Sequence, residues 1–155
     1  MNVLGVDPGA SGGLAIINSK TLKIVRGQRM PTYQLRGKSV VSPDGVMAFA
    51  DSVDVEVAVI EQVHAMPTQG VSSAFSFGRL TGGIEAVAFL IAPRLEWVTP
   101  QVWKKHFGLS SNKQESIDAA RLKFGSSYGW EKKADEGIAE AALIARWFID
   151  KYDIS

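Results

Sequence analysis

The chain has 155 residues, 46% of them hydrophobic and 21% charged, and a formal net charge of +1. That suits a single folded domain over residues 1–155 with a real core, and excludes disordered, collagen-like and strongly basic chains. With no cysteine there is neither a disulfide nor a thiolate metal site, and an anionic partner must be met by a local patch rather than by an overall field.

The elements follow in chain order from apolar periodicity and turn residues. Residues 1–6 form a buried strand, and 14–18 its hairpin partner. Residues 22–29 alternate as a third, more exposed strand. Residues 31–42 are polar, contain Gly37 and are expected as a loop. Ser42 caps a helix that Pro43 opens, with Val46, Met47, Phe49 and Ala50 turned inward. Residues 56–60 are a β-branched strand ending at Glu61, and 63–70 a loop. Residues 71–91 carry helical spacing, with irregularity expected around Gly78 and Gly82-Gly83. Residues 95–98 make a fifth strand. Thr99-Pro100 starts a short helix containing Trp103, and helices over 112–124 and 132–152 complete the chain. The fold class is α/β, a mixed five-stranded sheet flanked by helices. The longest unbroken apolar stretch, residues 86–92, is too short to span a bilayer. No signal-peptide pattern opens the sequence. A cytoplasmic protein with no membrane partner is expected.

Asp7 follows the run Val3-Leu4-Gly5-Val6 and precedes the turn Pro8-Gly9-Ala10-Ser11-Gly12-Gly13. A carboxylate at the end of a buried strand is costly without a partner. Glu61 repeats the pattern after Val57-Ala58-Val59-Ile60, and adjacency of the two strands would bring both acids together. A third acidic group opens the last helix as Asp135-Glu136-Gly137-Ile138-Ala139-Glu140-Ala141. Glu136 and Glu140 share a helix face, and the alanines around Glu140 let that helix pack closely on a sheet. Each acid alone has a plainer role as turn former or helix-end residue; their coincidence points to a metal site. Hard oxygen donors without a histidine set suit Mg²⁺, with Mn²⁺ as a substitute. Two such ions about 3.5–4 Å apart serve phosphodiester hydrolysis. Asp7 would bridge them, Glu61 would hold one, and the C-terminal acids the other. The glycine turn is expected to keep bulk away from the Asp7 carboxylate.

These motifs resemble the RuvC family of Holliday-junction resolvases in the RNase H-like superfamily, in its compact phage and prophage form. The resemblance rests on Gly5-Val6-Asp7-Pro8-Gly9 with Ser11-Gly12-Gly13-Leu14-Ala15, and on Val59-Ile60-Glu61-Gln62-Val63. It continues through Met66-Pro67-Thr68-Gln69-Gly70-Val71-Ser72-Ser73, Phe75-Ser76-Phe77-Gly78, Pro100-Gln101-Val102-Trp103-Lys104-Lys105 and the 135–141 segment. It implies a metal-dependent endonuclease, usually a homodimer, that places paired nicks in a four-way DNA junction. The implied catalytic and metal-ligating set is Asp7, Glu61, Glu140 and one or both of Asp135 and Glu136. Relatives often carry His or Asp where this chain has Glu136, so the third ligand stays open between Asp135 and Glu136. The location implied for a phage-encoded member is the bacterial host cytoplasm.

The DNA face is expected over residues 66–79. Gln69, Ser72 and Ser73 offer an amide and hydroxyls near a helix start, and Arg79 a cation. Met66, Phe75 or Phe77 could wedge against unstacked bases. The phenylalanines, two residues apart, cannot both face DNA on one helix, and core packing is their competing role. Lys104, Lys105 and Lys113 lie in the densest basic region, which also holds Arg121 and Lys123. Lys132 and Lys133 stand beside the acids, where a cation would complement transition-state charge. His64 and His106 read as isolated surface residues. A dimer would use the long helix over 71–91, where Gly82, Gly83, Ala86 and Ala88 permit close approach. The competing readings are a non-catalytic branched-DNA-binding module and an ATP-binding domain of the actin and hexokinase class, which shares the acid and glycine turn.

Overall fold

The computed structural model describes residues 1–64, 68, 70–128, 130 and 133–154, with the side chains of residues 127 and 133 outside that description. Five strands make the main sheet: β1 (Asn2–Asp7), β2 (Gly13–Asn18), β3 (Lys23–Arg29), β6 (Val57–Glu61) and β7 (Arg94–Val98). Their order is β3-β2-β1-β6-β7. The first three run antiparallel, whereas β6 and β7 continue the sheet in parallel with β1. The sheet is therefore mixed and five-stranded, as the sequence predicts.

Residues 31–42, expected as a loop, instead hold a separate two-stranded ribbon, β4 (Thr32–Leu35) and β5 (Lys38–Val41). Arg36 and Gly37 form its tip, both with positive φ, at 49° and 77°. That is the backbone a two-residue hairpin turn with right-handed strand twist requires. Nearly all its residues are exposed, so no alternating apolar signal marks it.

The helices are α1 (Pro43–Ala50), α2 (Val71–Ile91), α3 (Pro100–His106), α4 (Lys113–Phe124) and α5 (Glu136–Tyr152). Ser42 Oγ accepts from the Gly45 amide as the cap of α1. Val46, Phe49 and Ala50 are buried there, but Met47 stays 41% exposed and does not join the core. The α2 helix runs unbroken through Gly78, Gly82 and Gly83.

Side-chain parity along the strands divides the core in two. Val3, Val57 and Val59 face α5, with Ala15 and Ile17 from β2. Leu4, Val6, Ala58 and Ile60 face α1 and α2. The same alternation turns Gly5, Asp7 and Glu61 toward α5. The helix is buried along most of its length, and Ala139, Ala141, Ala142 and Ala145 have no exposed surface. Its approach is closer than any side chain on β1 would allow: a Cβ at Gly5 would lie 1.9 Å from the Ala141 carbonyl oxygen. At the other end, Gly12 forms a bridge with Gly137, and a Cβ at Gly137 would lie 2.3 Å from the Gly12 carbonyl carbon.

By length and composition alone α2 could cross a bilayer, although most of that stretch is exposed. Its Ile84, Val87 and Ala88 pack on the sheet, while Val71, Phe75, Phe89 and Leu90 are 65–87% exposed. Ala88, expected to face a second copy, is occupied by the core of its own chain.

A candidate active site at the strand ends

Parallel pairing of Val6 with Ile60 puts the next residues, Asp7 and Glu61, side by side where their strands end. From α5, Gly137, Ala141 and Ala145 form the stripe that touches the sheet. Glu136 and Glu140 lie one residue round, over Asp7. An open cleft of about 540 Å³ is lined by Asp7, residues 8–12, Arg29, Lys113, Glu136 and Glu140 among others. Glu61 borders a second, smaller hollow of about 230 Å³ with Pro8, Thr81, Glu85 and Trp97.

The glycine turn also has a packing role. Gly9, at φ 136°, makes the reversal; a Cβ at Gly12 would strike the Asp7 carbonyl oxygen at 2.0 Å, and Gly13 makes room for the backbone of Gly137 and Ile138 in α5. The turn seats the helix that carries the acids, and in that way sets their distance from Asp7.

Each carboxylate has a defined environment. Glu61 is buried and accepts a 2.7 Å hydrogen bond from Trp103 Nε1. Burial raises its pKa; the Trp103 bond opposes the rise, and Glu140 adds to it by repulsion. Glu140 Oε1 accepts from Ser116 Oγ at 2.9 Å and pairs with Lys104 Nζ at 2.9 Å. Glu136 Oε2 pairs with Lys113 Nζ at 3.1 Å, and that hydrogen bond raises the lysine's pKa. Asp7 is driven well above the usual carboxylate value, first by burial and then by repulsion from Glu140, Glu61 and Glu136. Asp135 is turned elsewhere: Arg29 Nε and Nη2 both donate to its Oδ1, at 2.9 and 2.7 Å. Between Asp135 and Glu136, the structure brings Glu136 into the cleft.

Among the described residues no three acids lie close enough together to make a ready ligand set. The chemistry nevertheless fits divalent cations. Four carboxylates, Asp7, Glu61, Glu136 and Glu140, gather around two ammonium groups; burial first, and then repulsion from neighbouring acids, raises Asp7 and Glu61. Such a site lacks positive charge, and all its donors are hard oxygens.

Of the predicted DNA contacts, Ser72, Ser73, Phe75 and Arg79 are exposed on α2, and Lys105 on α3. Phe75 is 68% exposed, against the core role weighed for it. Lys104 and Lys113 sit among the acids. Met66, Gln69 and Lys132, with the side chain of Lys133, lie outside the described residues. Sequence reasoning missed Trp103 as the donor to Glu61, Ser116 as the donor to Glu140, and Arg29 as the partner of Asp135. Ser116 carried a faint signal, a hydroxyl on the inward face of a helix beside Ile117 and Ala120.

Trp103→Phe tests the environment of Glu61. It keeps an aromatic ring but removes the donor to a buried carboxylate, an expected cost of about 1–3 kcal/mol by thermal melting. Glu61 should then titrate higher in a carboxyl NMR titration. An unmoved Glu61 titration would sink the assignment.

The arrangement is the RNase H-like fold in the form found in RuvC-type Holliday-junction resolvases. T. thermophilus RuvC in complex with a Holliday junction substrate matches with a TM-score of 0.71 at 16% identity, covering 100% of this chain and 96% of that one. A second Thermus thermophilus RuvC structure matches at 0.68 and 17% identity, over 98% and 97% of the two chains. The yeast mitochondrial Holliday junction resolvase Ydc2 matches at 0.55 and 14%, over 95% of this chain and 77% of that one. No protein-family model and no curated protein matches the sequence.

Proposed function

We propose that this protein is a metal-dependent, structure-selective DNA endonuclease that resolves four-way junctions by hydrolysing phosphodiester bonds. The observation that carries the reading is the gathering of Asp7, Glu61, Glu136 and Glu140 at the ends of two parallel strands, under one helix. The fold shared with two RuvC structures, one bound to a Holliday junction, supports it.

Asp7, Glu61, Glu136 and Glu140 are the residues that would hold Mg²⁺. When bound, the ions would supply an activated water and stabilise the leaving oxygen. The chain does the rest. Trp103 and Ser116 orient Glu61 and Glu140 by hydrogen bonds. Lys104 and Lys113 balance the acids and stand where a scissile phosphate would enter, able to trade a carboxylate for it. Arg29 holds Asp135 and thereby fixes the first turn of α5. The protein works as a homodimer through the exposed apolar side of α2, which gives two sites for two nicks.

The test is cleavage of a synthetic four-way junction in Mg²⁺ or Mn²⁺, with linear duplex as control. Paired nicks near the branch are expected. No nicking of any branched DNA in either metal would overturn the reading. A Glu136→His variant assayed alongside should keep activity within about tenfold, since imidazole can replace a carboxylate as ligand or base; if Glu136 is no part of the site, the change should have no effect on metal dependence.

A further inference from the structure

The β4–β5 ribbon does not lie idle against the solvent. With the first three turns of α2 it walls a groove of about 830 Å³. Arg36 and Lys38 line one wall, and Arg79 with Ser72, Ser73 and Ser76 the other. Among the described residues no acid lines it, and Arg36, Lys38 and Arg79 make no ion pair. A second observation concerns Arg36 itself. It sits at the ribbon tip with φ 49°, a backbone that Asn or Gly adopts at far less cost. A strained residue at an exposed tip points to a use for its side chain.

We propose that this groove clamps the phosphodiester backbone of a duplex arm of the DNA substrate, at a distance from the acids. The proposal rests on the nuclease reading and deepens it. Three unpaired cations and three hydroxyls, with no anion among the lining residues, are the complement of a phosphate row. Position supports the same occupant. Thr81 and Glu85 of α2 face the hollow beside Glu61, while Ser72, Ser76 and Arg79 face the ribbon. One helix thus borders both the acids and the clamp, so an arm held in the groove runs alongside the strand to be cut. Contact with backbone rather than bases makes the clamp indifferent to sequence.

The test measures junction binding by fluorescence anisotropy in EDTA at several salt concentrations. Wild type is compared with Arg36→Asn, Arg79→Gln and the triple variant Arg36→Asn/Lys38→Gln/Arg79→Gln. Asn suits the left-handed turn, so Arg36→Asn should melt no lower than wild type, and melting of each variant shows whether it is folded. The triple variant should bind at least about 10-fold more weakly. Its plot of log K against log salt should be shallower by about 2–3, or about 0.9 for each phosphate no longer neutralised. Linear duplex should compete well for wild type and poorly for the variant. If folded variants keep wild-type affinity and salt slope while wild type binds and cuts the junction, the clamp is wrong and the nuclease reading stands. Equal competition by polyglutamate and by duplex would make the groove a site for acidic protein and overturn the proposal. Wild type that binds no DNA would overturn both.

Discussion

Asp7→Asn should abolish junction cleavage, by about 10³-fold or more, and should at the same time make the protein harder to melt. The two effects have one cause. Asp7 is pressed by burial and by three neighbouring carboxylates, so its charge is held at the expense of stability. Its pKa lies above the ordinary value of 3.8, and that of Glu61 above 4.5. In the window above those values the folded chain keeps protons that the unfolded chain has released. Stability from these two groups is therefore present at low pH and lost as pH rises through their raised folded values. Asp150, Glu96 and Glu115 are lowered by their hydrogen-bonding partners and behave oppositely, losing stability as pH falls. Comparing wild type with Asp7→Asn isolates the first effect. In EDTA the melting temperatures should coincide near pH 3.5, and the variant should gain by about 2–5 °C toward pH 7, since ~1 kcal/mol corresponds to about 2–4 °C in a chain of this size. Mg²⁺ should raise the wild-type melting temperature and move the variant less, because only the folded wild type offers the full ligand set. A variant that melts lower than wild type at neutral pH would mean that Asp7 is a structural residue with satisfied hydrogen bonds. Retained cleavage would remove it from the site altogether.

That prediction was open to sequence reasoning because Asp7 and Glu61 end two strands whose apolar runs are unmistakable. Strand parity then fixes the face on which they lie. The alanines of α5 similarly announce a helix packed close to the sheet. Asp135 and Glu136 could not be separated that way. Adjacent residues at a helix start depend on where the first turn begins, and here a 3-10 turn over Lys133–Asp135 precedes α5. What the sequence hides is Arg29, 106 positions away, which holds the Asp135 carboxylate while Glu136 lines the cleft. The β4–β5 ribbon was missed for a different reason. Only Val41 on it is buried, so no period-two apolar pattern exists to be read. Its one local signal was Arg36-Gly37 between two runs of four residues, and Arg is a poor indicator of positive φ. Lys104 and Lys113 illustrate a third limit. As isolated lysines they suit any anion, and only their placement beside Glu140 and Glu136 makes them part of the acid cluster.

Gly5→Ala is the substitution expected to cost most for the fewest atoms. The added methyl would lie 1.9 Å from the Ala141 carbonyl oxygen and 2.9 Å from the Ala145 amide nitrogen, both backbone atoms of α5. Neither can swing aside as a side-chain tip would. Either β1 or the whole helix must move, and α5 is the element on which most of one core half is built. Overpacking of this kind is expected to destabilise by ~3 kcal/mol or more, a fall of about 6–12 °C in melting temperature. Gly137→Ala should separate stability from activity, because its methyl would strike Gly12 at the first turn of α5. There the helix end can lift, taking Glu136 away from Asp7, so cleavage should fall further than the melting temperature predicts. Gly78→Ala is the control: a Cβ there meets nothing within 4 Å, and mid-helix alanine should stabilise by up to ~1 kcal/mol. Should Gly5→Ala melt with wild type, α5 does not seat on β1 through that glycine. The acids would then owe their convergence to something other than the close approach of helix and sheet.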